Sequence, residues 1–211
     1  MPNHVANILT FNGETERVNQ ILAFIQNDEQ ALDFNKIIPM PETYRKYDTT
    51  NHPNARGLEV GKHIGWRDDS PLVTEELIEE YKRATKEQAE LYGAVGWYDW
   101  SREYWGTKWN AYDCIAEGNT ILFDTAWNAP LPIYEQLARM FPDIELHIVF
   151  ADEDAGCNTG ELTFKNGELV EENFPEDDTD ESWALYFATH DYATDYYKKV
   201  DGKWRYVEDE D

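Results

Sequence analysis

The chain has 211 residues, of which 41% are hydrophobic and 14% aromatic. A chain of this length and composition can bury a sizeable apolar core, which excludes an intrinsically disordered protein and removes any need for stabilising disulfides or metals. Its 43 acidic and 18 basic side chains give a net charge of −25. This charge disfavours direct binding to a nucleic-acid phosphate backbone and favours a partner with a basic face.

The compartment is indicated by the cysteines and by the apolar runs. Cys114 and Cys157 do not form a CxxC motif, and two cysteines are few for a secreted disulfide scaffold of this length. The first residues lack a basic segment followed by an apolar stretch, and no apolar run is long enough to span a membrane. We therefore expect reduced thiols, a cytoplasmic protein and no membrane partner.

The chain opens with a predicted β-α-β unit. Residues 4–11 are rich in strand-forming side chains, and Asn12-Gly13 interrupts them. A helix is predicted over residues 14–27, and a second strand over residues 34–38 before Pro39. The helix prediction rests on an apolar stripe at positions i, i+3, i+4 and i+7, formed by Val18, Ile21, Leu22 and Ile25.

An insertion of about seventy residues, roughly 42–112, is predicted to follow that unit. Its first part has the composition of a loop. Its second part contains the longest predicted helix, which begins at Thr74 with two glutamates in the first turn and ends near Gly93.

A second β-α-β pattern follows. Strands at residues 115–117 and 120–125 flank Gly118-Asn119, a helix begins near Pro132, and residues 144–150 alternate between apolar and polar. Two such patterns predict an α+β protein with a ferredoxin-like fold, that is, a split β-α-β antiparallel sheet with helices on one face. We predict a single domain over 1–211, with the core at about 3–41 and 113–151.

An acidic hairpin extension is predicted at about 152–211. Asn166-Gly167 and Asp201-Gly202 each lie between strand-like runs, a strong signal for a β-hairpin. We expect both hairpins to extend the sheet, and residues 171–181 to form an acidic loop.

The stretch from Trp97 to Asp113 is unusually aromatic, with charged and amide side chains between the rings. Such a mixture is typical of a ligand pocket, but it is also typical of an aromatic plug that attaches the insertion to the sheet. Both interpretations stay open. The candidate pocket residues are Trp105, Lys108, Trp109, Asn110, Tyr112, Asp113 and Trp127.

Three segments carry a resemblance to a known family. They are Trp105-Gly106-Thr107-Lys108-Trp109-Asn110-Ala111-Tyr112-Asp113, the opening Met1-Pro2-Asn3-His4-Val5-Ala6-Asn7, and Phe123-Asp124-Thr125-Ala126-Trp127. Over most of residues 1–150 the chain resembles the YubB-like ferredoxin-domain family carried by phages and plasmids. The resemblance implies a ferredoxin-like core and an origin in a bacterial mobile element, hence the cytoplasm of a bacterial host. It implies no known activity and no catalytic residue.

The sequence contains none of the common catalytic patterns GxxxxGK[ST], GxGxxG, HExxH and GxSxG. The question of catalysis stays open, and the sequence favours a protein that is not an enzyme, with no cofactor. Asp152-Glu153-Asp154 with Asn158 offers oxygen ligands, but Ala155 stands before Gly156 where an EF-hand needs Asp or Asn. We therefore assign no metal site.

Residues 151–211 carry 19 acidic and 5 basic side chains, a net −14. The proposed acidic interaction surface consists of Asp152, Glu153, Asp154, Glu171, Glu172, Glu176, Asp177, Asp178, Asp180 and Glu181. Our leading hypothesis is a mobile-element protein that binds and inhibits a basic host protein, for example a nucleic-acid-binding factor. The alternative is a small-ligand binding protein, or an enzyme of another type, that uses the aromatic stretch as its pocket wall.

Overall fold

The computed structural model describes residues 2–64 and 70–207. Its contacts divide the chain into two compact units, one formed by the residues up to Ile38 and from Trp105 onward, the other by Pro39–Tyr104. The second unit corresponds to most of the predicted insertion, although the sequence placed the end of the insertion at about residue 112. Residues 105–112 instead lie in the first unit, because Trp105 packs there on the ring of Phe34.

The first unit is built on a six-stranded antiparallel sheet with the strand order β2-β3-β1-β4-β5-β6. The strands are β1 (His4–Asn12), β2 (Tyr112–Glu117), β3 (Thr120–Ala126), β4 (Glu145–Asp152), β5 (Gly160–Lys165) and β6 (Glu168–Asn173). The α-helices within the described ranges are α1 (Thr15–Ile25), α2 (Glu42–Lys46), α3 (Glu75–Tyr92), α4 (Trp97–Tyr104), α5 (Leu131–Met140) and α6 (Asp180–Thr189). The order β1-α1-β2 followed by β3-α5-β4, with β1 between β3 and β4, is the predicted ferredoxin-like fold.

Strand β1 shows why one face of the sheet is buried. Val5, Asn7, Leu9 and Phe11 are buried, whereas the residues between them are half-buried, the alternation that a strand with one covered face requires. Helices α1 and α5 cover the buried face, and the Tyr134 hydroxyl of α5 donates a hydrogen bond to Asn7 Oδ1 at 2.7 Å. We call the other side of this sheet the open face.

The strand predicted at residues 34–38 is wrong. Residues Phe34–Lys36 form a 3₁₀ helix, because the Asp33 side chain accepts the backbone N–H of Asn35 and caps the turn. The strand that completes the first β-α-β unit is β2, which comes only after the second unit of the chain. The sequence pattern pointed to the next strand-like segment along the chain as the second strand of the unit. That prediction is wrong because the connection from α1 to β2 contains the whole second unit.

The C-terminal extension contains both predicted hairpins, but only one of them extends the sheet. Strands β5 and β6, joined at Asn166-Gly167, add to β4. The second hairpin consists of β7 (Tyr197–Val200) and β8 (Lys203–Tyr206) and forms a separate two-stranded sheet, so its predicted place in the main sheet is wrong.

The predicted acidic loop at residues 171–181 is also wrong at both ends, because it includes the end of β6 and the start of α6. Helix α6 begins with a capping box in which Thr179 and Ser182 satisfy each other's backbone N–H groups. Its Trp183 and Tyr186 form a cluster with Ala151 of β4. Since Ala151 lies opposite Ala6, next to the buried Asn7, α6 covers one end of the open face.

The second unit is mainly helical, as predicted. Helix α3 begins after Thr74, whose side chain accepts the N–H of Leu77, and ends at Gly93, whose φ is 70°. Thr85 and Gln88 are the polar residues among the buried positions of α3, and Gln88 is fully buried. The structure explains it, because Gln88 hydrogen-bonds the hydroxyls of Thr49 and Thr43.

Among the described residues, no helix has both the length and the apolar character that a membrane crossing requires.

Candidate functional site

Trp105, the first of the candidate pocket residues, belongs to the core of the first unit. Only 4% of its surface is exposed. Its ring meets that of Phe34 at 5.8 Å, and its indole N–H donates to the carbonyl of Ile38 at 2.8 Å. With both its apolar and its polar parts engaged in this way, Trp105 has a structural role.

Asn110 is likewise held by internal hydrogen bonds. Its Oδ1 accepts the backbone N–H of Phe34 and of Ala111, and its Nδ2 donates to Asp33 Oδ1 at 2.8 Å. Burial alone would raise the pKa of Asp33, but hydrogen bonds from Asn27, Asn35 and Asn110 outweigh it and lower this pKa. Asn110 therefore ties the start of β2 to the turn at Asp33.

Lys108, Trp109 and Trp127 come together at the surface. The Lys108 ammonium lies 4.4 Å from the ring centroid of Trp109 and 5.0 Å from that of Trp127. Trp127 has a φ of 73°, which is rare for a tryptophan, and its backbone N–H donates to the carbonyl of Asn3. A pair of indoles suited to a cation is thus already in contact with the chain's own lysine.

Tyr112 and Asp113 lie at the start of β2. The Tyr112 hydroxyl donates to the carbonyl of Thr125 at 3.1 Å and hydrogen-bonds His4 Nδ1 at 2.8 Å. Asp113 is exposed, with a φ of 50°. The pKa of the neighbouring Asp124 is raised first by burial and then by the charges of Asp113 and Glu153, against the opposing effect of His4.

Half of the residues predicted for the acidic surface are gathered at the end of β4, although one of them, Asp152, leaves only 5% of its surface exposed because its carboxylate accepts internal hydrogen bonds. We call Asp152, Glu153, Asp154, Asp177 and Asp178 the acidic corner. Burial, together with the charges of Asp177, Asp154, Asp152 and Asp178, raises the pKa of the Cys157 thiol. Four carboxylates therefore surround one turn of the chain.

Two asparagines hydrogen-bond the carboxylates of the acidic corner. Asn3 Nδ2 donates to Asp152 Oδ1 and to Asp154 Oδ2, each at 3.0 Å. Asn158 Nδ2 donates to Asp152 Oδ2 at 3.2 Å, and its backbone N–H donates to Asp177 Oδ1 at 3.0 Å. The corner thus joins the first residues of the chain to the C-terminal extension.

The other predicted acidic residues lie elsewhere. Asp180 pairs with Lys199 at 2.5 Å, and Glu181 lies in the first turn of α6. Glu176 accepts the Thr179 hydroxyl through its backbone carbonyl. Glu171 and Glu172 lie on β6 and line a small cavity, of about 230 Å³, together with His147, Glu161, Thr163 and Asn173.

The C-terminal extension has a strongly negative net charge, yet it contains one basic segment that this net charge does not reveal. Residues 197–206 contain four cations and one carboxylate. In the β7–β8 hairpin, Lys198 lies opposite Arg205 and Val200 opposite Lys203, so three of these cations share one side of the hairpin. Lys199 lies on the other side and pairs with Asp180 of α6.

Sequence reasoning also missed a cleft within the second unit. The cleft has a volume of about 670 Å³, and its lining includes Asp48, His52, Glu59, Lys62 and His63. Lys62 forms an ion pair with Glu59, and Asp48 hydrogen-bonds Asn51. Charges of both signs line this cleft, and the contacts of Lys62, Glu59 and Asp48 are made with neighbouring residues of its own lining.

Across residues 2–64 and 70–207, no three or more histidines, cysteines and carboxylates are grouped so as to hold a metal ion. Cys114 and Cys157 are both free thiols. Burial is the main cause that raises the pKa of Cys114, to about 11, which disfavours the reactive thiolate.

The first unit resembles known proteins in its C-terminal part. Residues 104–200 match the family model described as the ferredoxin-like domain in Api92-like protein. A crystal structure of the protein api92 from Yersinia pseudotuberculosis aligns with 83% of this chain and 98% of its own, with a TM-score of 0.46 and 11% sequence identity. A search of curated proteins found no match. Residues 104–200 are thus similar to the ferredoxin-like domain of Api92-like proteins, in agreement with the fold described above.

Proposed function

We propose that this chain is an interaction protein that binds a basic protein of its host through the acidic corner and thereby blocks that protein. The observation that carries the proposal is the gathering of the exposed Asp154, Asp177 and Asp178 around a single turn, with the buried Asp152 hydrogen-bonded beside them. A concentrated negative field steers a basic partner toward the corner and repels nucleic acid. The bound partner would lose its own access to an anionic ligand.

The resemblance to the YubB-like family supports an origin in a phage or plasmid, and hence a host protein in the cytoplasm of a bacterium. The net charge of −25 favours a nucleic-acid-binding factor as the partner, because such factors present clustered lysines and arginines. The same charge argues against direct contact with nucleic acid or with an anionic membrane surface.

The test is an affinity purification from bacterial lysate at low salt with the variant Asp154→Asn/Asp177→Asn, in which the amides keep the size of the carboxylates. The matched control is Glu29→Gln/Glu87→Gln, which changes the net charge equally at two exposed positions. We expect the wild type and the control to recover the same basic protein, and the corner variant to lose it. Recovery by neither the wild type nor the control, or equal recovery by all three, would contradict the proposal.

The alternative of a small-ligand site now rests on Trp109 and Trp127, which leave 39% and 36% of their surfaces exposed. Lys108 lies against both rings, so a ligand would have to displace the ammonium group of Lys108 from the rings or bind beside it. An anionic aromatic molecule has the chemistry to do this, since it can stack on an indole and pair with Lys108. Quenching of tryptophan fluorescence by such a molecule, lost in Trp109→Ala, is the expected sign of this site.

A further inference from the structure

The open face of the sheet carries an apolar stripe that runs across four strands. Ile115 of β2 lies opposite Leu122 of β3, Leu122 lies opposite Ile8 of β1, and Ile8 lies opposite Val149 of β4. Side chains directly opposite each other in an antiparallel pair share one face of the sheet. These four residues therefore form one continuous row, which we call the apolar stripe.

The exposure of the apolar stripe increases toward the β2 edge. Val149 leaves 8% of its surface exposed, Ile8 and Leu122 are half-buried, and Ile115 leaves 56% exposed. Helices α1 and α5 lie on the opposite face of the sheet, and α6 covers the neighbouring row at Ala151. Val149 is thus already covered, and the part of the stripe open to a partner runs from Ile115 through Leu122 to Ile8.

Carboxylates surround the apolar stripe. In the neighbouring row of open-face side chains on one side of the stripe, Asp124 lies opposite Ala6. In the neighbouring row on the other side, Glu117 lies opposite Thr120. Glu161 of β5 continues the stripe beyond Val149, and Glu171 of β6 lies opposite Thr163. An apolar centre with a charged rim is the usual anatomy of a protein interface, and here the rim is acidic.

The stripe has the dimensions of a short helix. Neighbouring strands lie about 4.8 Å apart, so the three strands from β2 to β1 that carry its accessible part span about 10 Å. Two turns of an α-helix cover about 11 Å, and the apolar residues of one helix face recur once per turn. One apolar side chain per turn can thus meet one strand after another.

We propose that the open face docks a basic amphipathic helix of the partner protein, with the apolar side of the helix on the stripe and its lysines or arginines against the four rim carboxylates. This inference rests on the proposed function, since it specifies the partner as a basic protein with such a helix. A second copy of the chain fits the face poorly, because it would bring Asp124, Glu117, Glu161 and Glu171 against the same four carboxylates.

The experiment uses two synthetic peptides of leucine and lysine. One has leucines at positions i, i+3, i+4 and i+7 of a helix, and the other has the same composition in an order without an apolar face. Fluorescence anisotropy at low salt measures the binding of each to the full chain. We expect the amphipathic peptide to bind at least about tenfold more tightly, because only its leucines can be buried on the stripe.

The decisive variant is Ile115→Asp. It adds a negative charge, so attraction by charge alone would leave the binding of a cationic peptide unchanged or strengthen it. Docking on the apolar stripe predicts the opposite for the amphipathic peptide, a weakening of about tenfold or more. The scrambled peptide should bind the variant as it binds the wild type or slightly better.

Two further variants complete the test. Leu91→Asp places the same charge on α3, at a residue with 64% of its surface exposed, and should leave peptide binding unchanged. Ile115→Thr keeps a β-branched side chain suited to a strand and replaces Ile115→Asp if that variant melts at a lower temperature than the wild type. The Ile115→Thr substitution should weaken the binding of the amphipathic peptide severalfold.

Several results would overturn the inference: no binding of the amphipathic peptide, equal binding of the two peptides, or unaltered binding of the amphipathic peptide by the folded Ile115 variant. A dimer that Ile115→Asp dissociates, observed by sedimentation, would assign the stripe to a second copy instead. If Ile115→Asp still recovers the host protein while Asp154→Asn/Asp177→Asn does not, the proposed function stands and the docking face is wrong.

Discussion

Asn7 lies in the middle of β1 and faces the helices, with 1% of its surface exposed. Its Nδ2 donates to the carbonyls of Val5 and Phe123 and to the Thr125 hydroxyl, and its Oδ1 accepts the Tyr134 hydroxyl. A polar side chain is tolerated at the centre of this core because all of its hydrogen-bonding atoms are satisfied. The bond from Tyr134 also fixes α5 on the sheet.

Removing that hydroxyl tests the network. In Tyr134→Phe the Asn7 Oδ1 stays buried without its donor, so we expect the free energy of unfolding to fall by about 1–3 kcal/mol. Urea denaturation followed by circular dichroism measures the change. Tyr192→Phe, at a residue with 62% of its surface exposed, is the control and should change this free energy by less than about 0.5 kcal/mol. Equal effects of the two variants would contradict the role of the Asn7 network.

Trp105 and Trp109 are four positions apart and differ sharply in environment. Because Trp105 is buried against Phe34, Trp105→Ala should lower the free energy of unfolding by about 3–5 kcal/mol. Trp109→Ala should lower the free energy of unfolding by less than about 1.5 kcal/mol, since Trp109 is partly exposed and its ring contacts are those with Lys108 and Tyr112. Thermal melting of the two variants side by side makes the comparison, and a large loss in Trp109→Ala would place that residue in the core.

Asp124 is a half-buried carboxylate on the open face, and its pKa is raised mainly by burial. A folded-state pKa above the unfolded one costs stability at neutral pH, and this cost disappears as the pH falls below both values. We therefore expect Asp124→Asn to raise the free energy of unfolding at pH 7, with no such gain near pH 3. Urea denaturation at the two pH values measures it, with Asp28→Asn at an exposed position as the control. An equal gain at both pH values would show that ionisation is not the cause.

At the scale of elements, the sequence predicts the helices and strands whose pattern lies within one short segment of the chain. Strand β1 is rich in strand-forming side chains, α3 has Thr74 at its start and Gly93 at its end, and Gly118-Asn119 fixes the hairpin of β2 and β3, so all three were predicted and are confirmed. Helix α6 was missed because Trp183-Ala184-Leu185-Tyr186-Phe187 is an unbroken apolar run without helical period. The run is explained by burial on two sides, against Ala151 and against the β7–β8 hairpin.

The candidate site was less predictable than the fold, and the reason is again distance along the chain. The aromatic stretch was visible in the sequence, but burial separates Trp105 from Trp109, and burial depends on Phe34 and Ile38. The apolar stripe was invisible, because its residues belong to four strands and only the pairing register aligns them. Ile8 and Val149 resemble ordinary core residues until the sheet is assembled.

The cluster of α6 and the C-terminal hairpin depends on Trp183, whose ring lies 4.9 Å from that of Tyr197 and 5.7 Å from that of Trp204. Trp183→Ala should lower the free energy of unfolding by about 3–5 kcal/mol. It should also expose the hairpin to trypsin at Lys198 and Lys203, which limited proteolysis with mass spectrometry detects. Phe174→Ala, at a residue with 50% of its surface exposed, is the control and should leave these bonds protected. Unchanged protection in Trp183→Ala would mean that the hairpin is held by other contacts.

At the scale of the whole molecule, charge is the dominant property. A net charge of −25 makes the carboxylates repel one another in the folded state, and the unfolded chain spreads them farther apart. Few cations offset this repulsion, and several of them, such as Arg17 with Asp143 and Arg139 with Glu135, lie in exposed pairs. Exposed pairs of this kind contribute little individually.

Salt should therefore stabilise this protein. Raising NaCl from 10 to about 150 mM shortens the Debye length from about 30 to about 8 Å and screens the repulsion between carboxylates. We expect the melting temperature to rise by several degrees over that range, as measured by calorimetry. Sucrose at the same osmolality serves as the control for effects that do not depend on charge, and a melting temperature that falls with NaCl would contradict the repulsion.

The central position of β1 has a consequence for the newly made chain. Its two hydrogen-bonded neighbours, β3 and β4, begin at residues 120 and 145. At translation speeds of about 5–20 residues per second, a ribosome needs roughly 5 to 30 seconds to supply them after β1 has emerged. During that interval β1 has neither of its pairing partners, so its apolar side chains are accessible to any chaperone that recognises extended apolar segments.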